Sequence, residues 1–84
     1  MTYQLLIKRS AEKELDTLPK QVRIRITNKL VTLEEDPRPA GIKKLRGENA
    51  FRIRVGDYRV LYTIDDSDEI VTIYAIGHRR EVYR

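Results

Sequence analysis

Three arginines, Arg52, Arg54 and Arg59, have the type and spacing to hold a polyanion. A guanidinium presents forked donors that match phosphate oxygens, and it stays charged across the useful pH range. Phe51-Arg-Ile-Arg-Val55 alternates apolar and basic, and Tyr58-Arg-Val-Leu-Tyr62 follows after Gly56-Asp57. A two-residue loop with Gly first signals a type II′ hairpin. That loop pairs Val55 with Tyr58, and so Arg54 with Arg59. Arg52 then lies opposite Leu61, on the same face and diagonal to Arg59. Phe51, Ile53, Val55, Tyr58, Val60 and Tyr62 collect on the other face as a core. Like charges directly opposite each other on a sheet destabilise it by roughly 0.2–1 kcal/mol. A solvated sheet face carries arginine in ordinary proteins too. Three of them, with no Asp or Glu on the same face of the hairpin, point instead to an anionic partner.

The elements that must position these residues are legible from periodicity. Tyr3-Gln-Leu-Leu-Ile7 reads as a short first strand. Ser10 is an N-cap candidate, and Ala11, Leu15 and Leu18 form one stripe of a first helix. Pro19 stops that helix and suits the first turn of the next. A second helix is expected from about Lys20 to Glu35. Val22, Ile26, Leu30 and Leu33 line one side of it, with Ile24 and Val31 roughly opposite. Those two either pack on the first helix or form apolar surface for a partner. Asp36-Pro-Arg-Pro39 ends the helix. Lys43-Lys-Leu-Arg-Gly47 suits a short edge strand, where lysines are common. Asp65-Asp-Ser-Asp68 is an acidic turn. Glu69 to Gly77 is a last strand, apolar on both faces and therefore central or covered on both sides. The expected fold is α+β: an N-terminal strand, a two-helix hairpin, then a three- to four-stranded antiparallel sheet with both helices on one face.

The chain has 84 residues and reads as one domain, 1–84, with a modest core. It has no cysteine, which excludes a disulfide framework and thiolate chemistry. Its one histidine, His78, builds no zinc site without several converging carboxylates. No metal or cofactor is expected. There are no paired catalytic carboxylates, no glycine-rich phosphate loop and no serine-histidine-aspartate set. The apolar run at the N-terminus is too short for a signal peptide or a membrane span, so the expectation is a cytoplasmic protein away from membranes. Seventeen Lys and Arg against thirteen Asp and Glu leave a net charge of +4. That balance suits RNA, DNA or an acidic protein, without choosing among them.

Four stretches carry a resemblance. They are Lys44-Leu-Arg-Gly47, Phe51-Arg-Ile-Arg-Val55, Gly56-Asp-Tyr-Arg-Val-Leu-Tyr62 and the tail Gly77-His-Arg-Arg-Glu-Val-Tyr83. In this order and spacing the whole chain resembles the RelE/ParE superfamily of bacterial and archaeal toxins, the RelE branch of which contains ribosome-dependent mRNA interferases. The resemblance implies a RelE-like, microbial-RNase-like fold and the toxin of a type II toxin-antitoxin system. It implies a metal-independent endoribonuclease that cuts mRNA in the ribosomal A site, inhibits translation and arrests growth. The family's two basic hairpin positions fall on Arg52 and Arg54, and the arginine of its tyrosine-arginine pair on Arg59. The basic residue after the tail glycine falls on Arg79, or on Arg80, and the C-terminal tyrosine on Tyr83. A histidine near the terminus in related branches corresponds to His78. Lys43, Lys44, Arg46, Arg23 and Arg25 are expected to hold RNA or the ribosome. The implied partners are a small RelB-like antitoxin, in a hetero-oligomer with the toxin, and the ribosome with its mRNA. Two alternatives remain open: a ParE-like toxin acting on DNA gyrase, and a nucleic-acid-binding module without chemistry.

RNA supplies its own nucleophile, the 2′-OH. Cleavage needs that hydroxyl deprotonated, the in-line phosphorane stabilised, and the 5′-oxygen protonated as it leaves. Guanidiniums suit the second task. They make poor bases, and better known RelE members carry lysines where this chain has Arg52 and Arg54. The base is therefore expected at Tyr83, whose phenol neighbouring cations would acidify, or at His78.

Overall fold

The chain folds as β1 (Gln4–Ile7), α1 (Arg9–Asp16), α2 (Lys20–Glu35), β2 (Lys43–Lys44), β3 (Ala50–Val55), β4 (Tyr58–Asp65) and β5 (Ile70–His78). The structure is a computed structural model, and it describes residues 2–46 and 49–78. Five strands form one sheet in the order β1-β5-β4-β3-β2. The last four pair antiparallel, and β1 adds to the far edge parallel to β5. β5 is thus internal, and its buried Val71, Ile73 and Ile76 all face the helices.

The expected boundaries of α2 and the expected edge strand hold. The start of α1 does not. Lys8, not Ser10, occupies the cap position, and no side chain caps it. Ser10 lies inside the first turn, because Lys8 N–H donates to Ile73 O at 2.9 Å and carries the chain straight from β1 into the helix. Pro19 stands at the cap of α2 with extended ψ, so its ring ends one helix and starts the next.

Both helices cover one face of the sheet. Ile26, Leu30 and Leu33 of α2 and Ala11 of α1 pack with Phe51, Ile53, Val60, Tyr62, Ile64, Val71, Ile73 and Ile76. Val55 and Tyr58 pack at the margin of that core. Tyr62 is fully buried, and its hydroxyl donates to Pro37 O at 2.8 Å. Burial pushes its phenol up to about 12, which keeps it a neutral donor. The bond ties the α2–β2 connection to the sheet. Outside the core, Asp66 receives both Nη atoms of Arg38, at 3.1 and 2.8 Å, and the Tyr3 hydroxyl at 2.7 Å. The Arg38 guanidinium also lies 5.5 Å from the centre of the Phe51 ring. This clamp joins the residue before β1, the α2–β2 connection and the β4–β5 turn.

Strand β5 carries a bulge. Leu61 pairs with Ala75 but Tyr62 pairs with Ile73, so Tyr74 is the extra residue. The bulge reverses the parity of the residues beyond it. Ile76 returns to the core face, while Ala75 and Gly77 come up on the open face.

Candidate nucleic-acid interface

The hairpin forms with the register that its loop chemistry predicts. Val55 pairs with Tyr58, Arg54 with Arg59 and Arg52 with Leu61. Gly56 has φ +62° and Asp57 is not left-handed, which matches a type II′ turn. The pair that flanks such a loop, Val55–Tyr58, is the hydrogen-bonded one, so by alternation the next pair is not, and the α-carbons of Arg54 and Arg59 stand about 4.5 Å apart. On the next strand Lys43 pairs with Arg52. Lys43, Arg52, Arg54 and Arg59 therefore occupy one face, opposite the helices. The first carboxylate in that register is Asp65, six residues beyond Arg59 on β4, about 20 Å away at ordinary strand rise.

The floor of this face is small and apolar. Leu61 is buried in the middle of it, with Ala75 beside it, and Gly77 lies opposite Arg59. The Nε atoms of Arg52 and Arg59 are buried, so both stems lie against the sheet rather than reaching into solvent. Arg54 is exposed at the margin, where β2 no longer covers β3. Together, among the described residues, they offer closely spaced guanidiniums over a floor of small and apolar side chains.

The other sequence-derived candidates divide. Lys43 joins the arginines. Lys44 pairs with Phe51 and so falls on the alternate face at the sheet edge, exposed. Arg46 is exposed beyond β2. His78 does not share the arginine face. It pairs with Tyr58, and the two rings meet edge-to-face at 5.7 Å on the helix side. The bulge at Tyr74 accounts for this, since it sets His78 on the side of Ile76. Arg23 and Arg25 point to opposite sides of α2. Arg23 lines a groove with Leu15, Asp16, Lys20 and Ile24, and Arg25 crosses the hairpin turn, its guanidinium 3.7 Å from where a Gly56 Cβ would stand. Arg79, Arg80 and Tyr83 lie outside the described residues. Sequence reasoning did not place Lys29 in the site, although it follows Arg25 at i+4 on one helix face; the structure sets the two beside Arg54.

Comparison with known proteins gives the face its setting. A family model described as the ParE toxin of the type II toxin-antitoxin system parDE matches residues 5–83. The chain belongs to the RelE/ParE superfamily of toxins. Toxin RelG of Mycobacterium tuberculosis is 34% identical, covering 100% of this chain and 99% of that protein. The putative toxin RelE1 of Methanocaldococcus jannaschii is 30% identical over 100% of this chain and 98% of its own length. Among solved structures, the archaeal RelE–RelB complex from Pyrococcus horikoshii superposes with a TM-score of 0.86 at 32% identity, covering 98% of this chain and 100% of that one. The two-helix cover over a mixed five-stranded sheet is thus a RelE-like toxin fold, and the arginine face is the open side of its sheet.

Proposed function

We propose that this toxin is a ribosome-dependent endoribonuclease that cuts mRNA by attack of the 2′-OH on the adjacent phosphate. The observation that carries the proposal is the register of Lys43, Arg52, Arg54 and Arg59 on one open face. Such a face suits a pentacoordinate phosphorane, because several forked donors on one face can meet the charge that develops on its oxygens. Arginines do not serve as the base. With His78 on the helix side, that role falls to Tyr83, and Arg79 or Arg54 stands by the leaving 5′-oxygen. The ribosome supplies the in-line geometry that so small and open a face cannot impose alone. The partner that silences the toxin is a small antitoxin; a Methanococcus jannaschii relative was solved as a RelB–RelE antitoxin–toxin complex.

The name of the matching family model favours one other reading, inhibition of DNA gyrase. One experiment separates the two. Purified toxin is given naked mRNA, mRNA on programmed ribosomes, and supercoiled DNA with gyrase. Ribosome-bound mRNA cut to 2′,3′-cyclic phosphate ends, with naked RNA almost intact, is the expected result. Intact mRNA on ribosomes together with gyrase-dependent DNA breaks would overturn the proposal.

A further inference from the structure

We infer a second phosphodiester-binding site, in the groove between α2 and the β3–β4 hairpin, continuous with the arginine face through Arg54. The groove has a volume of about 470 Å³ and is lined by Arg25, Asn28, Lys29, Thr32, Arg54 and the hairpin turn at Val55 and Gly56. Its wall holds three cations, two neutral polar side chains and no carboxylate. Arg25, Lys29 and Arg54 make no ion pair or hydrogen bond with any described side chain; the ion pair found among the described residues is Arg38–Asp66, at the clamp. Arg25 and Lys29 are one helical turn apart on α2, where like charges repel, so helix stability does not account for them.

Position joins this groove to the site already described. Arg54 belongs to both: its β3 register puts it opposite Arg59 on the open face, and the residue also lines the groove. Beyond Arg52, no strand among the described residues pairs with the outer edge of β3, the edge that lies between the two. Gly56 keeps the passage low. Arg25 lies flat over it, and φ of +62° disfavours any side chain there. A strand whose reacting phosphate lies between Arg59 and Arg54 would cross that edge, and its next phosphates would meet Arg25 and Lys29. The ligand chemistry is the RNA backbone, read by charge and forked donors without base contacts. It comes either from the mRNA itself or from ribosomal RNA beside it.

The inference rests on the reading that the arginine face handles RNA, and the test keeps the two apart. Binding of the intact protein is measured against salt for two probes: a 2′-O-methyl RNA hexamer, which has no free 2′-OH, and vacant ribosomes without mRNA. The variants are Arg25→Gln/Lys29→Gln and, separately, Arg59→Gln, with circular dichroism to verify the fold. Losing two phosphate contacts should weaken hexamer binding on the order of tenfold at 0.1 M salt and flatten the log–log salt slope by about 1.4. The same loss on vacant ribosomes alone assigns the groove to ribosomal RNA. An Arg25→Gln/Lys29→Gln variant that binds both probes with unchanged affinity and slope overturns the inference, and so does wild-type protein that binds neither. Unchanged binding by Arg59→Gln, beside a loss by the groove variant, would count against the arginine face and leave the groove standing.

Discussion

At the scale of single residues, each of two side chains has a role set by which face of the sheet it occupies. Arg59 and Tyr62 are three apart on β4, so alternation sends them to opposite sides. Arg59 contributes to the open face, and the core does not depend on its guanidinium. Tyr62 is wholly internal, and its hydroxyl satisfies the Pro37 carbonyl. Tyr62→Phe leaves that carbonyl without its donor and should cost about 1 kcal/mol, read as a lower midpoint in urea unfolding. Toxicity should persist at equal expression, because the ring still fills the core. A Tyr62→Phe protein as stable as wild type would mean that the Pro37 bond does not hold the α2–β2 connection.

At the scale of elements, the end of β5 depends on a residue far away in sequence. β1 pairs with β5 only as far as Ile73, and no strand among the described residues covers the outer edge beyond it. Glu14 of α1 fills part of that gap, its Oε1 accepting the Ile76 N–H at 2.9 Å. Glu14→Ala should destabilise the protein by about 1 kcal/mol and speed amide exchange locally at Ile76, while Glu14→Gln, which keeps an acceptor, should largely restore both. Uniform exchange in Glu14→Ala would argue against this tie. The clamp at Asp66 gives a pH dependence. Hydrogen bonds from Arg38 and then Tyr3 hold its carboxyl below the usual aspartate range. A depressed folded pKa means stability present above the ordinary value near ~3.9 and lost as pH falls through the lower folded value. Arg38→Gln should therefore flatten the acid limb of the stability–pH curve, while an unchanged limb would show that the clamp is not coupled to folding.

The elements also show what a sequence can carry. The i, i+4 spacing of Val22, Ile26 and Leu30 and the prolines on both sides define α2, and Gly56-Asp57 defines the hairpin register, because these signals are local. The parallel docking of β1 on β5 is not local, since it is decided by which edge the helical hairpin leaves open. The Tyr74 bulge is set by how β4 and β5 must match along their length, and no single residue announces it. That bulge alone moves His78 away from the arginines. The same limit explains Lys29: its neighbours on α2 are legible, but its approach to Arg54 depends on how the helix crosses the sheet.

Across the whole molecule, the described residues present three surfaces, the first two joined through Arg54. One is the arginine face, the second is the basic groove beside the hairpin, and the third is apolar. Ile24 and Val31 are 50% and 52% exposed on α2, on the side away from its buried stripe. Side chains so placed contribute little to the core. Ile24→Ser/Val31→Ser should leave thermal stability nearly unchanged while weakening capture of a RelB-like antitoxin. A large drop in melting temperature would instead make them part of the helix packing. The net charge of +4 should make that capture fast and salt-sensitive.

In the proposed mechanism, guanidiniums on the open sheet face stabilise the transition state of RNA cleavage on the ribosome. Single-turnover cleavage of mRNA on programmed ribosomes, with wild type beside Arg59→Ala, tests it most directly. Loss of one such donor from a site of this kind costs about 10²–10³ in rate. A fall of that size at saturating toxin, with the fold and antitoxin binding intact, is the expected result. Cleavage by Arg59→Ala at the wild-type rate, or no cleavage by the wild-type toxin itself, would contradict it.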